Sequence, residues 1–158
     1  ISVFVLPLVL RCFPFQKIYF DYKFTLSEIV YIWVSGAVTM LLVVNVLLKN
    51  MWGRARPNDV SYFNGFQDFT PWYKISDACA SNCSFVSGDS SVGFLLIVFY
   101  FITKKNAYLY LGLILGSLLG FIRIAEGGHF FSDIIFSQIV VTVTILVSFV
   151  LYKKLYDK

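Results

Sequence analysis

The chain has 158 residues, of which 58% are hydrophobic and only 14% charged, with a formal net charge of +4 and a mean hydropathy of +0.76. A soluble domain is about half apolar and about a quarter charged, so this composition argues against a water-soluble globule and points to a membrane protein. No Lys/Arg-rich run of the kind that binds nucleic acid occurs, so membrane lipids are the expected surroundings and no nucleic acid is an expected partner.

Taken in order, the chain opens on Ile1-Ser2-Val3-Phe4-Val5-Leu6-Pro7, with no initiator Met, no charged n-region and no small-residue cleavage site. Residues 1 to about 10 read as the end of an apolar helix, and the whole of 1–158 as a single N-terminally truncated transmembrane domain. Arg11 to Lys23 is a short basic segment. Ser27 to Leu48 is a nearly continuous apolar stretch of bilayer-spanning length, with its one acid, Glu28, in the first turn. The stretch from Pro57 to Val86 is a long polar loop rich in aromatics. A second apolar stretch runs from Val92 to Thr103, or from Gly88 if small polar residues start the helix. Lys104-Lys105-Asn106 is a tight basic turn, a third stretch runs from Ala107 to Ile122, and a fourth from Asp133 to Tyr152. No period-2 alternation competes with helices. The expected fold is therefore all-α: a polytopic transmembrane bundle of four helices plus the end of another.

Alternation of the helices places Arg11, Lys17, Lys23, Lys104, Lys105, Lys153, Lys154 and Lys158 on one side, and Lys49, Arg54, Arg56, Lys74 and Arg123 on the other. The positive-inside rule assigns the first group to the cytoplasm. The long loop then faces the exterior or periplasm together with Cys79 and Cys83. That compartment permits a Cys79–Cys83 disulfide, although the pair also reads as two free thiols, and two thiols alone make a poor zinc site.

The polar residues near helix ends on the outer side are Lys49, Arg56, Ser87, Gly88, Asp89, Arg123, His129 and Asp133, and His129 is the one histidine of the chain. Each has a bland reading: cations at helix ends ordinarily snorkel to the interface, and a lone histidine is more often structural than reactive. Together they form an oxyanion site. Arg56 and Arg123 suit planar bidentate binding of phosphate, Lys49 adds a point charge, and the Ser87–Gly88 amides lie where a helix begins. Phosphoryl transfer needs this neutralisation and an in-line nucleophile. The four-residue spacing puts His129 and Asp133 on one helix face if the last helix starts early. Asp133 would then accept from one ring nitrogen and leave the other to attack phosphorus. No carboxylate cluster suited to Mg²⁺ is apparent near these residues, so neither metal nor cofactor is expected.

Three strings carry a resemblance: KNMWGRARP from Lys49 to Pro57, VSGD from Val86 to Asp89, and IRIAEGGHFFSD from Ile122 to Asp133. In their K-x6-R-P, S-G and R-x5-H-x3-D elements they resemble the type 2 phosphatidic acid phosphatase superfamily, over essentially the whole chain. The resemblance implies a six-helix core of which this chain is a fragment, with Ser27 to Leu48 as the third helix. It implies phosphate binding by Lys49, Arg56, Arg123, Ser87 and Gly88, a phosphoenzyme on His129, and orientation by Asp133. Arg54 lies off the matched string and is expected to matter less than Arg56. The pattern departs at Val86, where the family has Pro, at Ile122, where it has Ser, and at Asp89, where it has the histidine that protonates the leaving oxygen. The strings GRARP, NCSFVSGD and GGHFFSD resemble the branch that includes bacterial lipid A 4′-phosphatases. That implies a metal-independent phosphoric monoester hydrolase of the bacterial inner membrane, facing the periplasm, with a lipid phosphate (lipid A or a precursor) as substrate. Undecaprenyl pyrophosphate, phosphatidylglycerol phosphate and phosphatidate are alternative substrates. A non-catalytic lipid-phosphate binder or flippase-like protein and a phosphotransferase are alternative functions.

Overall fold

The computed structural model describes residues 22–156; the expected helix end at residues 1–10 and the basic positions Arg11, Lys17 and Lys158 lie outside the described residues. Among the described residues the protein is all-helical, apart from a single bridge between Val60 and Gln67.

Helix α1 starts at Leu26, where Thr25 caps it: its side chain accepts from the Glu28 amide, and Glu28 answers by accepting from the Thr25 amide. Its first half is α-helical over Leu26–Ala37, and Val38–Asn50 continues as a wider π-helical coil. Helix α2 covers Gly88–Phe94, α3 Ile97–Thr103, α4 Asn106–Ala125 and α5 Phe131–Tyr156. Lys104 closes α3 in the left-handed conformation, its amide donating to the Tyr100 carbonyl at 2.9 Å.

Among the described residues three helical runs are long and apolar enough to cross a membrane: Leu26–Asn50, Asn106–Ala125 and Phe131–Tyr156. The protein is thus a helical membrane bundle. The fourth expected span, Gly88–Thr103, falls short. Sixteen residues reach only about 24 Å against a hydrocarbon core of about 30 Å, and the chain breaks between α2 and α3 at Leu95–Leu96. Its role is central. Phe94, Leu95, Ile97, Val98, Phe99 and Ile102 are all buried, whereas α1, α4 and α5 expose apolar side chains such as Leu41, Leu118 and Leu151. The short unit supplies most of the core, joined by Tyr31 and Ile32 of α1 and Ile134, Val141 and Ile145 of α5, and the long helices turn their other faces to lipid.

Glycines let α4 approach that core. A Cβ on Gly116 would lie 2.3 Å from Phe94 Cδ1, one on Gly93 2.5 Å from the Gly116 Cα, and one on Gly120 2.5 Å from Ile134 Cγ2. Small residues spaced by four allow such backbone contact where no hydrophobic effect drives helices together. Ser90 Oγ donates to the Gly116 carbonyl at 2.7 Å across this seam.

Between α1 and α2 the long loop folds over one end of the bundle. It contains short 3₁₀ turns at Pro57–Asp59 and Ser61–Phe63 and a disulfide between Cys79 and Cys83, with Cα atoms 5.6 Å apart. Phe69 and Trp72 touch the residues below while remaining 43% and 42% exposed. Trp72 packs on Phe136 of α5 at 4.3 Å, and Phe69 packs on Phe130 at 5.4 Å. Tyr62, Phe63, Phe66 and Tyr73 stay exposed.

Candidate active site

The end of α1, the start of α2, the end of α4 and the segment ahead of α5 meet beneath this loop. Lys49, in the last turn of α1, is buried, and its Nζ donates to Asn82 Oδ1 at 2.9 Å. The Arg56 Nη2 donates to the backbone carbonyl of the same Asn82, also at 2.9 Å. Asn82 holds a left-handed backbone with φ 49° inside the Cys79–Cys83 loop, so this small ring holds two cations side by side. Arg123 leaves the last turn of α4 and pairs with Glu126 at 2.5 Å and with Asp89 at 2.9 Å. The two guanidinium groups converge over Gly128: a Cβ there would lie 3.6 Å from both Arg123 Nη2 and Arg56 Nη1. A Cβ on Gly88 would lie 3.5 Å from Lys49 Nζ. Three cations therefore line a space floored by two glycines, a layout suited to an oxyanion.

Ser87 ends up inside the protein. Fully buried, it caps α2, its Oγ accepting from the Ser90 amide at 3.4 Å and its carbonyl accepting from Ser91 Oγ and Ser137 Oγ. Its hydroxyl is thus taken up by the helix start, and Gly88 and Asp89 form the first turn of α2. The Asp89 side chain is 58% exposed.

His129 is buried, at 1% exposure. Here the structure differs from the expected His–Asp pair. The His129 Nδ1 meets the carbonyl oxygen of Ser84 at 2.7 Å, while Asp133 Oδ2 is 3.7 Å away, beyond hydrogen-bond length. Since a carbonyl can only accept, Nδ1 carries the proton and Nε2 has the free lone pair. The reason lies in where the last helix starts. α5 begins at Phe131, so His129 precedes it and does not share a helix face with Asp133. Asp133 instead caps α5, accepting from the Phe130 amide at 2.9 Å. It also accepts from Ser84 Oγ and from Arg54 Nη1, both at 2.5 Å.

Arg54 and Ser84 were not among the expected site residues. Arg54 is 2% exposed and forms a buried ion pair with Asp133. Burial pushes its guanidinium below its ordinary pKa and the carboxylate beside it pushes back. Charged residues are seldom buried unless paired, and the acid that pairs with Arg54 lies 79 positions away, so the GRARP string alone does not separate Arg54 from Arg56. Ser84 contributes a carbonyl as well as a hydroxyl, and a backbone carbonyl leaves no mark in a sequence. Asn58 is a third addition: its amide donates to the Gly127 carbonyl and its side chain to the Glu126 carbonyl, fixing the turn that delivers Gly128 and His129. Gly127 there has φ +69°, a conformation that L side chains rarely adopt.

A helical membrane bundle with a cluster of three cations beside a buried histidine is the class that this geometry defines. The chain belongs to the PAP2 superfamily, whose sequence profile matches residues 29–157. It is similar to the lipid A 4′-phosphatase of Francisella tularensis subsp. novicida (strain U112), with 42% identity over 121 residues, covering 74% of this chain and 53% of that protein. It is also similar to the lipid A 4′-phosphatases of Rhizobium leguminosarum, 36% identical over 98 residues (60% of this chain, 42% of that one), and Rhizobium etli, 36% identical over 97 residues (60% and 38%). The chain thus spans about half or less of the length of these curated relatives. No solved structure matches it.

Proposed function

We propose that this protein is a membrane phosphatase that hydrolyses a phosphomonoester of a lipid through a phosphohistidine on His129, without a metal ion, and that lipid A or a precursor is its substrate. The observation that carries this reading is the pairing of a buried histidine, its Nδ1 held by Ser84, with two guanidinium groups converging on the adjacent Gly128. The names of the relatives favour the lipid A class.

In this reading Lys49, Arg56 and Arg123 take the non-bridging oxygens, and Nε2 attacks phosphorus in line with the departing lipid oxygen. The positive charge that develops on the ring is met by the Ser84 carbonyl and, at longer range, by Asp133. The lipid leaves as an alcohol once its oxygen is protonated, with Asp89 the candidate donor. Water then attacks the phosphohistidine, freeing phosphate and restoring the neutral ring. The site faces the periplasm of a bacterial inner membrane. Two features support that orientation: the basic residues gathered at the other end of the bundle, and the Cys79–Cys83 disulfide, which suits an oxidising compartment.

The test is phosphate release by the purified protein from a panel of lipid phosphates, wild type against His129→Ala. Lipid A carrying its 4′-phosphate is expected to lead the panel, ahead of undecaprenyl pyrophosphate and phosphatidylglycerol phosphate. His129→Ala is expected to be inactive; activity within about tenfold of wild type overturns the nucleophile.

A further inference from the structure

We infer that Arg54 is a positioning residue for phosphoryl transfer, acting through Asp133, and that the outer loop holds it in place. The inference rests on the reading of His129 as the nucleophile. Arg54 lies two residues before Arg56 yet turns the opposite way. Its side chain is 3% exposed, whereas that of Arg123 is 32% exposed. A guanidinium withdrawn from water must find an anion and acceptors, and Arg54 has them: Asp133 Oδ1 at 2.5 Å from Nη1, Ser132 Oγ at 2.8 Å from Nη1, and the Thr70 carbonyl at 2.9 Å from Nε. The Phe130 ring lies 4.1 Å from its Cζ and the Phe69 ring 5.6 Å.

These contacts connect it to the ring in two ways. Asp133, fixed by Arg54 at Oδ1, accepts at Oδ2 from Ser84 Oγ, and the carbonyl of that same Ser84 holds His129 Nδ1. Oδ2 also takes the amide of Phe130, the residue after His129. A shift of the carboxylate therefore moves both the group that orients the imidazole and the backbone that carries it. Thr70 and Phe69 belong to the outer loop, so loop and nucleophile share one anchor. Arg56 and Arg123 bind phosphate in this scheme, and Arg54 sets the histidine that attacks it.

The experiment measures kcat and KM on a lipid monophosphate for wild type, Arg54→Met, Arg54→Lys, Asp133→Asn, the Arg54→Met/Asp133→Asn double variant and His129→Ala. Arg54→Met is expected to lower kcat at least about tenfold, the scale seen when a group that orients a reacting ligand is removed, with KM within about threefold. Arg54→Lys keeps the charge without the fork and should recover part of that loss. The double variant should fall no more than about threefold below Asp133→Asn alone, because residues acting through one another are non-additive. Losses that multiply, a loss confined to KM, or wild-type kinetics in Arg54→Met overturn the positioning role while an inactive His129→Ala leaves the nucleophile standing. An active His129→Ala overturns both. Should a single variant fail to fold with one charge left buried, the double variant, which buries neither, is compared with wild type: lowered kcat at retained KM supports the role, and unchanged kcat overturns it.

Discussion

Replacing Asp89 by Asn separates two roles open to one carboxylate. Asp89 Oδ2 stands 2.9 Å from Arg123 Nε, and both side chains are partly exposed, at 58% and 32%. A substrate phosphate that takes Arg123 Nε must therefore displace Asp89, whereas one held by Nη2 need not. A partly exposed ion pair is worth about 0–1 kcal/mol, so removing this competitor tightens KM by no more than about fivefold. Delivery of a proton to a departing oxygen contributes about 10²–10⁴-fold. The second effect exceeds the first by more than an order of magnitude, so kinetics can tell them apart. If Asp89 delivers the proton, Asp89→Asn lowers kcat on a lipid alkyl phosphate by about a hundredfold or more. It leaves p-nitrophenyl phosphate within about threefold, because that phenolate departs unprotonated. KM should fall slightly for both. Steady-state phosphate release from the two substrates in the same detergent is the assay. Equal slowing of both, or no slowing of the lipid, refutes proton delivery by Asp89 and leaves it as a competitor for Arg123.

Arg56→Lys and Arg123→Lys should each lower kcat/KM at least about tenfold, since a planar fork is lost and a charge-assisted hydrogen bond is worth about 1.5–3 kcal/mol; wild-type kinetics in both would make these residues interfacial anchors. EDTA should leave phosphate release unchanged and vanadate should inhibit it, by occupying the oxyanion space beside the histidine; activity that disappears with EDTA and returns with Mg²⁺ overturns the metal-free mechanism. Gly116→Val should destabilise the bundle by about 1–3 kcal/mol or more, because its Cβ would meet the buried Phe94 ring at 2.3 Å. Thermal denaturation in detergent reads this, and an unchanged midpoint would mean that the α2–α4 seam is looser than described.

The long helices were legible because a bilayer-length apolar run leaves little choice of structure, and α1, α4 and α5 extend each expected run by only a few residues at an end. Gly88–Thr103 was harder. Its apolar residues suggest a lipid-facing span, yet it supplies most of the core, and hydropathy does not distinguish facing lipid from facing protein. The feature that does so is the spacing of Gly112, Gly116 and Gly120, which marks close packing on α4. The loop aromatics show the same ambiguity at smaller scale. Phe69 and Trp72 touch Phe130 and Phe136 while staying 43% and 42% exposed, Phe63 and Phe66 make no such contact, and their sequence neighbourhoods do not differ in a way that predicts it.

The site divides along a physical line. Its cations are recognisable from their place in the sequence: Lys49 and Arg123 stand in the last turns of two apolar helices, and Arg56 lies in the loop directly before Pro57. The contacts around the histidine join Arg54 and Ser84 to residues 79 and 45 positions away, and they use a buried charge and a backbone carbonyl. The four-residue spacing of His129 and Asp133 misleads for a specific reason. An acid in the third position of a helix takes the amide ahead of the first turn, as Asp133 does with Phe130. A residue four positions earlier then stands outside the helix by construction. The same spacing thus arises from a helix start as readily as from a pair on one face. What distinguishes the two is whether the acid has other buried donors to satisfy, and here Arg54 and Ser84 claim both of its oxygens.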